Sequence, residues 1–252
     1  MSTVALDVSG PLATITLDRP GKLNAVDADL AHDLVAAVDA VAAVPKVRVV
    51  LVRGAGRAFC AGLDRDMVAR DELPADFFVL TERARLGLEA MDKITIAVVH
   101  GYCVGGGVQL AIACDLRIAE RSSRWAVPAV ADALIPGLAP VRLPRLIGLG
   151  RARRLMLTGE EIDAGEAERI GLVDHVVPDG DRATVDAHVQ TYLDAPRAAA
   201  AGVKALLARA FDPPIAEVAP TAAAHFAACL AAPDLASASA RWRSRDTKET
   251  VR

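Results

Sequence analysis

The chain has 252 residues, 53% of them hydrophobic and 24% charged, with a formal net charge of −3. This is long enough for one large domain, or for a core with a smaller appendage, and the composition is that of an ordinary folded protein. A slightly acidic chain with no basic stripe lacks the electrostatic footprint of a nucleic-acid binder.

Aromatic residues make up only 4%, and alanine carries much of the apolar content, so Ala-rich helices are expected. Cysteines at 60, 103, 114 and 229 form no CxxC pair and have neither disulfide-framework nor zinc spacing. No metal site is expected, and a reducing, cytoplasmic setting fits this cysteine usage. Residues 1–7 lack a basic region followed by an apolar run, so no signal peptide is expected.

In chain order, Val4–Val8 and Leu12–Leu17 read as strands joined at Gly10-Pro11. Asp27 is placed to cap a helix with Leu30, Leu34, Val38 and Val41 on one face. Val47–Val52 is a nearly unbroken apolar strand, the pattern of a strand covered on both sides. A loop through Phe59–Asp64 follows, then a helix over about 76–91. Ile94 to Cys114 holds no charged residue and is long enough to cross a bilayer. His100, Gln109, Gly101 and Gly105–Gly107 interrupt it, so it reads instead as a buried strand, a glycine turn and a buried helix over 108–113. Leu116–Ala119 is strand-like again. Strands alternating with helices point to an α/β fold. Beyond about residue 140 the pattern is mostly helical: 151–157, 164–170 and 183–193, with a short strand over 172–177. Arg151, Arg153 and Arg154 read as the solvated face of the first of these helices. After Pro196, helices over 197–211, 214–231 and 234–246 are separated by Pro213-Pro214 and Pro233.

Several segments together resemble the crotonase (enoyl-CoA hydratase/isomerase) superfamily. They are Ile15–Pro20 with Leu23-Asn24-Ala25, the Ala58-Phe59-Cys60-Ala61-Gly62-Leu63-Asp64 loop, and His100-Gly101 leading to Gly105-Gly106-Gly107. Cys114–Ala119, Ile135-Pro136-Gly137, Leu157-Thr158-Gly159 and Gly171-Leu172-Val173 follow in family order. No single one is decisive; their common order and spacing is. The resemblance implies an α/β fold, a spiral of ββα units over residues 1–195 carrying the coenzyme A thioester site. A C-terminal helical region, 196–252, would build homotrimers or dimers of trimers. It also implies an acyl-CoA thioester partner, with coenzyme A as part of the substrate rather than a resident cofactor.

By the same resemblance, the backbone amides of Leu63 and Gly106 form an oxyanion hole. Such donors stabilise the enolate oxygen that forms when water adds at Cβ or a proton leaves Cα. A glycine run before an apolar helix has a second reading, in which it only lets the helix pack closely on a strand. Ala25, Ala61, Gly105 and the Leu63-Asp64-Arg65-Asp66 segment are implied to border the bound coenzyme A. Asp64 reads equally as a structural loop carboxylate. Lys22 and the cations Arg241, Arg243, Arg245 and Lys248 are candidates for the phosphates, or plain surface charge.

Two positions depart from the family pattern. Family hydratases hold a catalytic water between two glutamates; here these positions are Gln109 and Ala129. Gln can orient a water but does not titrate near neutrality, and Ala does neither. One acid–base group is worth roughly 10²–10⁴ in rate, so fast hydration is not expected. Asp132, one turn past Ala129, and Asp66 are candidate replacements. His100, His175, Cys60 and Cys103 are weaker candidates, and Tyr102 reads as wall packing. Leu138–Val141 replaces a glycine-rich turn of the family, which implies altered acyl specificity. Three readings therefore stand: an enzyme with altered acid–base groups, a non-catalytic acyl-CoA carrier, or an assembly subunit that has lost coenzyme A.

Overall fold

The computed structural model describes residues 2–208 and scattered positions between 216 and 240. Among the described residues, six strands form one sheet in the order β1 (Val4–Ser9), β2 (Leu12–Leu17), β3 (Val49–Gly54), β4 (Ile94–Val99), β6 (Leu116–Glu120), β9 (His175–Val177). β1 and β2 are an antiparallel hairpin, and every later pair is parallel. A smaller sheet joins β5 (Tyr102–Val104), β7 (Arg124–Ala126) and β8 (Ile162–Asp163).

The chain spirals between the two sheets. β4 in the large sheet leads to β5 in the small one and then to α4 (Gly106–Ile112). β6 and β7 repeat the move, followed by a 3₁₀ turn over Pro128–Asp132 and α5 (Ala139–Ile147). β3 makes the same move in reduced form: Cys60 bridges Cys103 before α2 (Arg65–Ala69). This is the ββα spiral of the crotonase fold.

Side chains alternate across a strand, so each apolar run serves two cores. Val50, Val52, Ala97 and Val99 face a core closed by α1 (Ala28–Ala42), α3 (Phe77–Ala90) and α4. Val49, Leu51, Ile96 and Ile118 face the other side, where Val185 and Val189 of α8 (Arg182–Asp194) cover them. The unbroken Val49–Val52 run follows directly from that double coverage. Asp27 caps α1 as its position implies, accepting from Leu30 N at 2.9 Å.

The uncharged Ile94–Cys114 stretch is β4, a glycine turn, β5 and α4. No helix among the described residues is long and apolar enough to cross a membrane. The short strands β5, β7 and β8 escape sequence reading, because two or three residues carry too little pattern. In the Leu138–Val141 segment Ala139 opens α5, and Pro140 sits in the first turn, where its missing N–H goes unneeded. The helices α6 (Leu149–Thr158) and α7 (Ala164–Arg169) match their expected places. The expected helix at 197–211 is α9 (Arg197–Leu207); those at 214–231 and 234–246 fall where only scattered positions are described, and Arg241, Arg243, Arg245 and Lys248 lie outside the described residues.

α9 is pinned to the core by a buried ammonium. Lys204 Nζ donates to Leu88 O (2.9 Å), Lys93 O (2.8 Å) and Asp115 Oδ2 (2.8 Å). A buried charge is tolerated only when so satisfied. Lys204→Met should therefore cost about 1.5–3 kcal/mol by strandings of those acceptors. Urea unfolding should report that loss, and backbone amides of 197–207 should exchange faster in hydrogen exchange.

Candidate active site

Three main-chain segments lie side by side and define the site. The middle one, residues 60–64, is bonded on one flank to residues 23–26. Ala61 N donates to Leu23 O (2.9 Å), Val26 N to Gly62 O (2.6 Å) and Asp64 N to Val26 O (3.0 Å). On the other flank it is bonded to the β5 segment, with Cys60 N donating to Tyr102 O (3.0 Å) and Val104 N to Cys60 O (2.9 Å). Because Gly62 O and Asp64 N both turn toward Val26, the amide of Leu63 between them turns away, toward residues 104–106.

Gly105 N is taken by Ala126 O (2.8 Å), and Gly106 then opens α4. Among the described residues, neither Leu63 N nor Gly106 N donates to any acceptor of the chain. They are also close: a Cβ on Gly106 would stand 3.7 Å from Leu63 N, and a Cβ on Gly62 would stand 3.1 Å from Gly106 N. Two unspent amides thus border one small region.

That closeness explains two glycines. Gly62 has φ +90°, and a Cβ there would meet Val104 O at 2.7 Å. A Cβ on Gly107 would meet Cys60 O at 2.4 Å. Both neighbours are backbone and cannot swing aside. The packing reading of the glycine run is therefore correct for Gly107, while the free amide belongs to Gly106.

Asn24 secures the outer flank. It is fully buried; its Nδ2 donates to Ala55 O (2.9 Å) and Ala58 O (2.8 Å), and its Oδ1 accepts from Arg19 N (2.9 Å). Sequence reading marks Asn24 as part of a motif without revealing this role.

The amides open into a cavity of about 780 Å³, counting its mouth. Of the residues singled out from sequence, Ala61, Leu63, Arg65, Gly105, Gly106, Gln109, Ala129 and Asp132 line it. Ala129 and Asp132 lie on one face of the 3₁₀ turn, as three-residue spacing dictates. Asp132 Oδ2 pairs with Arg65 Nη2 at 3.1 Å. Gln109 is 7% exposed, and its Oε1 has no hydrogen-bond partner.

Other candidates lie outside the cavity wall. Asp64 caps α2, accepting from Asp66 N (3.0 Å) and from Arg19 (3.1 Å), the structural role weighed for it. Asp66 is bonded to Lys22 Nζ at 2.5 Å, and that ammonium holds its carboxyl below the usual range. Ala25 is buried, and its neighbour Val26 lines the cavity instead. His100 Nε2 contacts Gly56 O at 3.0 Å, and His175 stacks on His188 with centroids 4.0 Å apart. Burial pushes the Cys60 thiol up to about 11 and Cys103 well above its ordinary value, which leaves both inert. Tyr102 is 47% exposed and is not part of the cavity wall, against the packing role expected for it, because β5 directs its middle residue inward and its first outward.

One wall of the site is absent from the sequence reading. Glu82 and Arg85 sit on the buried face of α3, 2% and 6% exposed, with Arg142 of α5 at 2%. Glu82 Oε1 accepts from Arg85 Nη1 (2.7 Å) and its Oε2 from Arg142 Nη1 (2.6 Å). Arg142 also grips Glu89 through Nε (2.7 Å) and Nη2 (3.1 Å). Burial pushes the Glu82 carboxyl up, but the two guanidiniums outweigh it and leave it below its ordinary value. The signal was there: charges at 82 and 85 share the stripe of Phe78 and Leu88.

The enoyl-CoA hydratase/isomerase family model matches residues 7–238. The chain belongs to that family. It is 35% identical over 181 residues to the short-chain-enoyl-CoA hydratase of Clostridium acetobutylicum, covering 70% of this chain and 69% of the relative. The crystal structure of an enoyl-CoA hydratase from Mycobacterium avium subsp. paratuberculosis superposes with a TM-score of 0.89 at 26% identity, covering 95% of this chain and 98% of that one. A Thermobifida fusca relative in complex with acetoacetyl-CoA superposes with a TM-score of 0.75 at 33% identity, covering 88% and 93%.

Two outcomes follow from this geometry. Gly107→Ala should gain at most about 1 kcal/mol of helix propensity against about 1–3 kcal/mol or more of overpacking, so urea unfolding should show a net loss. Glu82→Gln should cost about 3–5 kcal/mol at neutral pH by leaving buried guanidiniums uncompensated. The folded-state pKa of Glu82 lies below 4.5, so the carboxylate's stabilisation is complete above that pH and disappears as pH falls through the lower folded value. The stability gap between the two proteins, followed by thermal unfolding, should narrow in that acid range.

Proposed function

We propose that this chain binds an acyl-CoA thioester with its carbonyl oxygen received by the amides of Leu63 and Gly106, and that Asp132 moves the proton of the reaction in place of a glutamate pair. The observation that carries the reading is the pair of unspent amides bordering one cavity. Preorganised donors aimed at a developing oxyanion are commonly the largest single contribution to enolate chemistry. The acetoacetyl-CoA complex of the Thermobifida fusca relative supports the ligand class.

Asp132 is the only carboxylate lining the cavity among the described residues. A proton leaving Cα passes to its carboxylate while the electron pair moves onto the thioester oxygen. Return of that proton at another carbon completes an isomerisation. Gln109 orients water or acyl group without accepting a proton. The 61–66 loop borders the coenzyme A, with Lys22 toward its phosphates. Residues 196–252 serve self-association into trimers or paired trimers; Val203 and Leu207, 56% and 66% exposed on α9, are surface such a contact covers.

The second reading, an acyl-CoA carrier without turnover, is favoured by Gln109 and Ala129 both lining the cavity. Steady-state assays with enoyl-CoA thioesters of several chain lengths, paired with calorimetry, separate the two. Turnover that falls about 100-fold or more in Asp132→Asn supports the enzyme reading. Unchanged turnover removes Asp132 from the mechanism, and binding without conversion of any thioester establishes the carrier.

A further inference from the structure

The cavity's charge is unusual for a site that would hold a plain hydrocarbon chain. Its charged lining residues are Arg65, Arg85 and Asp132. Arg65 and Asp132 pair with each other at 3.1 Å. Arg85 is paired with Glu82 at 2.7 Å behind the wall, so what it offers the cavity is its remaining N–H donors.

Arg85 is incompletely used by the protein. A guanidinium has five N–H donors. The one hydrogen bond of Arg85 among the described residues runs from Nη1 to Glu82 Oε1. Arg85 and Arg142 together share two carboxylates, Glu82 and Glu89, so the group is balanced in charge. Arg142 by contrast spends Nε, Nη1 and Nη2 on two carboxylates. The remaining donors of Arg85 are not sealed in the core: its Nε and Nη2 are absent from the fully enclosed, unpartnered polar atoms, which include Gln109 Oε1. Arg85 lines both the main cavity and a small chamber behind it, whose wall also includes Gly106. Its unused donors therefore open close to the region of the two free amides.

Buried donors without partners cost free energy, and a planar fork matches a carboxylate through two parallel bonds. Positions 109 and 129 add no carboxylate that would repel it, and the one carboxylate in the lining, Asp132, is already paired with Arg65. Gln109 is more than nine-tenths buried with an unpartnered amide oxygen, and rotation of that amide presents its NH₂ instead.

We propose that the cavity selects thioesters whose acyl chain ends in a carboxylate, short dicarboxylic acyl-CoAs, and that Arg85 is the residue that reads the carboxylate. This rests on the acyl-CoA reading of the site and adds the substrate class to it. Phe77, Phe78 and Leu134 in the same wall take the methylenes between thioester and carboxylate. The nearness of Arg85 to Gly106 limits that spacer to a short one.

Calorimetry on the full chain tests it with glutaryl-CoA against valeryl-CoA, matched in carbon number. The expected result is a preference of about tenfold or more for glutaryl-CoA, consistent with a desolvated charge-assisted pair. Arg85→Gln should collapse that ratio to within about twofold. That variant also disturbs Glu82, so Gln109→Glu provides a second arm: a new carboxylate in the cavity should collapse the same ratio by repulsion while leaving residues 82 and 85 themselves unsubstituted. Equal affinities in the parent protein overturn the proposal and leave the acyl-CoA reading standing. A preference that survives both substitutions overturns the role of Arg85. Binding of neither thioester overturns the acyl-CoA reading, and this inference with it.

Discussion

The site depends on how closely three stretches of backbone can approach one another. Residues 60–64 run between residues 23–26 and β5, bonded to both, and nothing but main chain fits between them at Gly62 and Gly107. Hydrogen bonds to Val26 on one side fix which way the Leu63 amide faces on the other. The orientation of that free amide is thus settled by bonds that it does not itself make. An enolate oxygen needs donors that are already in place, since reorienting dipoles during reaction would consume the stabilisation they offer. Asn24 extends the same logic outward, replacing a fourth strand with one side chain that satisfies carbonyls at 55 and 58.

The wall facing those amides follows a different principle. Glu82, Arg85, Arg142 and Glu89 bring four charges onto the buried faces of α3 and α5. Desolvating so many ions offsets most of their mutual attraction, so the network is weak evidence for stability. What it does supply is a cationic fork held rigidly at the edge of a cavity otherwise lined by Phe77, Phe78, Leu134 and Ile135. Positions 109 and 129 of the same cavity carry no carboxylate, and Asp132 is paired with Arg65.

Much of the fold was legible beforehand because its elements obey periodicity. The runs at 12–17, 49–52 and 95–99 are apolar in the manner of covered strands, and α1 announces itself through Asp27 and a four-residue stripe. β5, β7, β8 and the 3₁₀ turn at 128–132 were hidden, since two to five residues cannot establish a period. Leu138–Val141, which stands where the family has a glycine-rich turn, leads into α5, since a proline in a first helical turn is compatible with helix. Tyr102 looked like a wall residue because aromatic side chains are commonly buried, but its register on β5 points it to solvent.

From the order of residues alone came the family, the two glycine-bearing segments, and the substitution of both expected glutamates by Gln109 and Ala129. These are local facts, written in side-chain identity and spacing. Which amide is free, whether Asp132 or Asp66 reaches the cavity, and that Arg85 lines it at all were decided only by tertiary packing. Lys22 captures Asp66 from 44 positions away, and Arg142 meets Glu82 across 60. Contacts between residues so far apart carry no periodic trace in the chain, because they exist only once the spiral has brought its turns together.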